Sequence, residues 1–154
     1  MADRCIVIGS SGDEASVHDA LRTAVAESRI DRFGSPPHGA QLVVKSKNSK
    51  LNCQIATSSA TGDVLDAWMR EVTQFIQNVS RERNQIVEKI ESCRLAIQIT
   101  ATPGFVEQDD HFACLFAIAE RVEGIIFTGQ SIVGPHGYTL LNAYGGRDHL
   151  VQGG

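Results

Sequence analysis

Apolar and polar positions divide the chain into short blocks of distinct period. Cys5-Ile6-Val7-Ile8 is a continuous apolar run closed by Gly9, which predicts a strand covered on both faces or at a sheet's centre. Ser11 and Glu14 then have the Ser-x-x-Glu spacing of a capping box, so a helix is expected to begin there. Val17, Ala20, Leu21, Ala24 and Val25 recur at helical spacing, with Glu14, Asp19, Arg22 and Glu27 mostly on other faces. One apolar stripe therefore packs on the sheet. Asp31 to Gly39 contains Phe33-Gly34-Ser35-Pro36-Pro37, which neither continues a helix nor joins a central strand, and reads as a loop. Gln41 to Ser46 and Leu51 to Thr57 flank an Asn48-Ser49 tip and form a hairpin. In its second arm Leu51, Cys53 and Ile55 alternate with Asn52 and Gln54, giving one apolar and one polar face.

The strongest periodic signal follows. Thr61 or Asp63 can cap a helix in which Leu65, Trp68, Met69, Val72, Phe75, Ile76 and Val79 keep the i, i+3, i+4, i+7 pattern. The polar stretch Ser80 to Gln85 interrupts the stripe before Ile86, Val87 and Ile90 resume it, predicting a kink or two consecutive helices ending near Ser92. Arg94 to Thr102 is a strand with Leu95, Ile97, Ile99 and Ala101 on one face, stopped by Pro103-Gly104. Acids at Glu107, Asp109 and Asp110 load the start of another helix, whose stripe is Phe112, Leu115, Phe116, Ala119 and Val122, with Gly124 as its terminating glycine. Strands over Ile125 to Thr128 and Tyr138 to Ala143 close the pattern, joined by a loop containing Gly134-Pro135-His136-Gly137.

The order β-α-β-β-α(α)-β-α-β-β predicts an α+β fold: one mixed sheet with helices mainly on one face, a two-layer sandwich. Its first six elements match the order of a ferredoxin-like unit. With 154 residues, residues 1–146 form a single α+β domain in this reading, and 147–154, rich in glycine, a flexible tail.

Composition narrows the partners. Eighteen acids against 14 bases give a net charge of −4, and the bases are dispersed except for Lys45, Lys47 and Lys50 at the hairpin tip. Such a chain has no field to draw in a phosphate backbone, so nucleic acid is not an expected partner. No apolar run approaches the ~20 residues of a membrane span. Met1 to Arg4 leads straight into a strand, which predicts no signal peptide and a cytoplasmic protein. Cys5, Cys53, Cys93 and Cys114 form no Cys-x-x-Cys and lie in apolar stretches. They read as core thiols in a reducing compartment.

Four places could carry chemistry. Ser10, Ser11 and Gly12, between strand and helix, sit where backbone amides can cradle an anion, but the segment lacks the glycine spacing of a dinucleotide fingerprint and the lysine of a P-loop. Asp109, Asp110 and His111 could hold a divalent ion or share a proton. Neighbours on a helix point about 100 degrees apart, however, so the three do not converge from a regular helix, and N-capping accounts for the acids. His136 lies in a turn, where an imidazole could act as a base or ligand. Serine, cysteine and histidine are all present, without a Gly-x-Ser-x-Gly elbow or a histidine placed to activate a given thiol.

From Ile86 to Gly146 the chain resembles a bacterial family of unknown function. The likeness rests on Arg94-Leu95-Ala96-Ile97-Gln98-Ile99, Thr102-Pro103-Gly104-Phe105 with its acidic follow-up, Phe112 to Glu120, Gly124 to Thr128, and Leu140-Leu141-Asn142-Ala143-Tyr144-Gly145. Members of that family often carry this module ahead of a helical domain. The resemblance implies a free-standing bacterial version, and no catalytic set or cofactor comes with it.

Each polar candidate has a sufficient capping or turn explanation. The reading is therefore a non-enzymatic module for protein interaction or small-ligand binding, with no cofactor and no metal. Homodimerisation is expected from Trp68, Met69 and Phe75 on one helix. The alternatives are a small metal-dependent hydrolase using Asp109, Asp110 and His111 with His136, and an immunity or regulatory partner of another protein.

Overall fold

The structure is a computed structural model that describes residues 4–25, 28–34, 40–45, 50–57, 62–79, 90, 93, 95–102 and 110–142. Its elements are β1 (Arg4–Gly9), α1 (Glu14–Ala24), β2 (Arg29–Phe33), β3 (Ala40–Lys45), β4 (Lys50–Thr57) and α2 (Gly62–Val79), then β5 (Leu95–Thr102), α3 (Asp110–Arg121), β6 (Gly124–Phe127), β7 (Ser131–Val133) and β8 (Thr139–Asn142). The α+β class stands. The continuation of α2 expected over 80–92 and the expected tail, 147–154, lie outside the described residues.

Among the described residues, eight strands form one sheet in the order β2-β3-β4-β5-β1-β6-β7-β8. Every neighbouring pair is antiparallel, which corrects the expected mixed sheet. The reason lies in the connections: α1 leads from β1 to β2, and α3 from β5 to β6, so each joins strands of like direction. Neither pair is adjacent, because β5, β4 and β3 stand between the first two and β1 between the second. Antiparallel neighbours therefore separate what α1 and α3 join. The ferredoxin-like order fails for the same reason, since β5 inserts between β1 and β4.

Both faces of the sheet are packed, so the two-layer expectation also gives way. Cys5 and Val7 of β1 join Leu95, Ile97 and Ile99 of β5 in a core closed by α1 and α3, with Val17, Leu21, Leu115 and Ile118 fully covered. Ile6 and Ile8, one position out of phase, join Ala96, Ile125 and Phe127 under Leu65, Trp68, Val72 and Ile76 of α2. This period-2 division is why β1 reads as an unbroken apolar run. Met69 and Phe75 pack against the second core, and the Phe75 and Phe127 rings are 5.1 Å apart. The apolar residues that suggested a homodimer are thus used within the chain.

Two strands escaped the sequence reading. Residues 31–33, taken as loop, belong to β2, where Arg29, Asp31 and Arg32 interrupt any apolar pattern; charges are common on an edge strand, which they protect from further pairing. In β7 only Ile132 is fully buried among three residues, too short a run to show a period. The helix caps also differ. Asp13, not Ser11, caps α1: its carboxylate accepts from the Ser16 amide at 3.1 Å, and the Ser16 hydroxyl accepts from the Asp13 amide at 3.2 Å. After α3 the left-handed residue is Glu123, at φ 52°. Gly124 is needed instead for close approach, because a Cβ there would lie 2.3 Å from the Ile8 carbonyl oxygen.

Candidate functional site

The glycine-serine turn after β1 spends its donors inside the fold. The amides of Ser10 and Ser11 both donate to the Val122 carbonyl, at 3.1 and 3.2 Å. The Ser10 hydroxyl donates to the Glu123 carbonyl at 3.0 Å, and the Ser11 hydroxyl to the Glu123 carboxylate at 2.8 Å. The segment with Gly12 therefore ties the end of α3 to β1, and it places a carboxylate where an anion would have to sit. That is the arrangement of a structural clasp.

Of the acidic cluster, Asp110 and His111 are among the described residues. Asp109 lies outside the described residues, and Asp110 opens α3. His111 is 3% exposed, on the stripe that continues through Cys114, Leu115 and Ile118 into the core under α3. His136 is exposed on the turn between β7 and β8, which is closed by a Gly137 amide donating to the Gly134 carbonyl at 3.0 Å. Among the described residues no group of three or more His, Cys, Asp or Glu is placed to hold a metal ion.

The thiols sit as expected. Cys5, Cys53 and Cys114 are buried, Cys93 is half-buried, and none is in a disulfide. Burial pushes the Cys5 thiol up to about 11 against the pull of the neighbouring Arg4 charge, and burial raises Cys93 to about 11 as well. Burial, reinforced by the nearby Cys114, raises Cys53 further still. A neutral thiol is a weak nucleophile, so these groups are suited to packing.

What the chain order did not reveal is a cavity of about 330 Å³ between α3 and the sheet. Its apolar walls are Phe112, Leu115 and Phe116 from α3, with Cys5, Ile126 and Val133 from three strands. Phe112 and Phe116 are one helical turn apart, half-buried, and their rings lie nearly parallel at 6.3 Å between centroids and 15° between planes. Its polar lip is the β6–β7 turn, Thr128, Gln130 and Ser131, with Gly137 of the next turn opposite. Strand alternation explains the placement: Phe127 and Ile132 point into the α2 core, so Thr128, Ser131 and Val133 point to the α3 side. The β7–β8 ladder shifts register between Ile132 and Val133, with Leu140 the extra residue on β8, a bulge that bends β8 beside the cavity strand β7.

The lip is rigid for its size. Gly129, at φ 97°, occupies the first central position of a two-residue hairpin turn, where a positive φ is called for. The Thr128 amide donates to the Ser131 carbonyl at 2.9 Å. The Thr128 hydroxyl oxygen accepts from the amides of Gln130 and Ser131, at 3.3 and 3.0 Å, and stands 2.8 Å from the Ser131 hydroxyl. The one local signal for this lip was Thr128-Gly129-Gln130-Ser131 directly after a buried strand, a hairpin turn flanked by hydroxyls.

No helix among the described residues is long and apolar enough to cross a membrane. Comparison with protein-family models, with curated proteins and with solved structures finds no match.

Proposed function

We propose that this protein is a small-ligand-binding module whose site is the cavity beneath α3. The observation that carries the reading is the cavity itself. At about 330 Å³ it falls at the lower end of the roughly 300–1,000 Å³ range of small-molecule sites, with the usual apolar walls and a few placed polar groups. Binding is favoured over turnover by the character of the described lining: hydroxyls, an amide, and a Cys5 thiol held protonated by burial. None of these is poised to move a proton at neutral pH. The rigid turn supplies fixed direction at the mouth, and the two aromatic rings supply contact area at low entropic cost.

The test is an NMR screen of small aromatic compounds against the parent chain and against Val133→Phe, which enlarges a wall of the cavity. The reading expects a subset of compounds to bind the parent, shift the signals of Phe112 and Ile126, and be lost from a folded Val133→Phe. Hits that bind the two proteins equally, or no hits, would overturn it.

A further inference from the structure

The hydrogen bonds at the lip define what the cavity offers a ligand. A hydroxyl has one proton to donate and two lone pairs to accept with. Both lone pairs of Thr128 are taken by the amides of Gln130 and Ser131, so its proton must go elsewhere. The Ser131 hydroxyl oxygen at 2.8 Å is nearer than the Ser131 carbonyl at 3.3 Å. Ser131 therefore accepts from Thr128 and keeps its own proton for a partner beyond the turn. Its side chain stands on the cavity side of β7, on the same face as Val133, which pairs with Ile126 across the β6–β7 ladder.

We infer that the cavity selects an uncharged compound with an aromatic or alicyclic body and one neutral acceptor oxygen, its body against Phe112 and Phe116 and its oxygen on the Ser131 hydroxyl. This rests on the reading of the cavity as a ligand site. Two further features narrow the class. The described walls and lip are neutral side chains, so an ion entering them would lose hydration without meeting an opposite charge. The thiol at the base, Cys5, is 2% exposed and stays protonated, adding a soft, uncharged contact. A ketone, ester, amide or alcohol meets all these conditions, and a carboxylate or an amine does not.

The experiment compares three probes of similar size by protein-observed NMR titration: acetophenone, benzoate and benzylamine. Acetophenone is expected to give saturable shifts centred on Phe112, Ile126 and Ser131, and the two charged probes to bind at least about tenfold more weakly. Removing the donor in Ser131→Ala should weaken acetophenone about fivefold, and Ser131→Thr, which keeps a hydroxyl, should restore most of the loss. A charged probe that binds as tightly as acetophenone overturns the inference, and that comparison needs only the parent chain. An unchanged affinity in Ser131→Ala overturns it too; both results leave the cavity a ligand site. If acetophenone misses the cavity while other compounds still bind there and are lost in Val133→Phe, the ligand class alone is wrong. If nothing binds there, the reading beneath it is wrong.

Discussion

Replacing Gly124 by alanine tests the packing logic on which the cavity wall depends. Gly124 faces Gly9 across the β1–β6 ladder, and Ile125 beside it faces Ile8. An alanine methyl would lie 2.3 Å from the Ile8 carbonyl oxygen, 3.0 Å from its carbon and 3.2 Å from the Gly9 Cα. Carbon–oxygen contacts are comfortable only from about 3.3 Å, so the strands would have to part by about 1 Å. The obstacle is backbone in the middle of the sheet, which cannot swing aside as the tip of a side chain does. Parting the strands lengthens the ladder at that end and loosens Ile8 and Ile125 in the α2 core. A weakened hydrogen bond of about 1 kcal/mol together with overpacking of about 1–3 kcal/mol predicts a loss of about 2–4 kcal/mol. That is a large part of the roughly 5–15 kcal/mol that holds a domain folded. Urea unfolding followed by far-UV circular dichroism measures it as a lower midpoint with little change in slope. Gly129→Ala is the control: nothing lies within 4 Å of its Cβ position, so only backbone strain remains, about 1–2 kcal/mol. A Gly124→Ala chain within about 0.5 kcal/mol of the parent would refute the reasoning.

Other expectations follow from named contacts. Asp13→Ala should cost about 1 kcal/mol through loss of the α1 cap, while Ser11→Ala should leave helix content unchanged; circular dichroism with urea titration separates them, and the reverse order would return the cap to Ser11. The Arg32 guanidinium, hydrogen-bonded to Glu14, holds that carboxyl below its ordinary range. The stability it contributes is present above the unfolded value of about 4.3 and is lost as pH falls through the lower folded value. Because Arg32 is exposed the effect is small, so the gap in unfolding midpoint between parent and Arg32→Gln should be modest at neutral pH, close in acid and shrink with salt. A gap that widens in acid would contradict this. Native thiols should react slowly with a disulfide reagent, the half-buried Cys93 first, with Cys5, Cys53 and Cys114 following only on unfolding; prompt reaction of all four would show a core far looser than described.

The sequence exposed those elements whose burial leaves a period. Apolar runs gave β1 and β6, and alternation gave the faces of β4 and β5. The stripe on α2 was readable because one face of that helix meets one core. The edge strand β2 was hidden by charges that protect it, and β7 by its three-residue length. Burial of both sheet faces was written into the contrast between Cys5-Val7 and Ile6-Ile8, yet a run apolar at every position does not say what covers each side. The cavity was less accessible still. Cys5, Phe112 and Ser131 meet only because α3 crosses β1 to reach β6 and β7, and each alone resembles an ordinary core or turn residue. His111 and the glycine-serine turn, which attracted notice in one dimension, proved to be a buried helix residue and a strand–helix clasp.

The most direct test of the central claim is the crystal structure of the protein soaked with acetophenone. The account predicts the compound between the α3 phenylalanines and Val133, its oxygen at about 2.7–2.8 Å from the Ser131 Oγ. A cavity closed by the protein's own side chains, with the compound bound elsewhere or not at all, would contradict it.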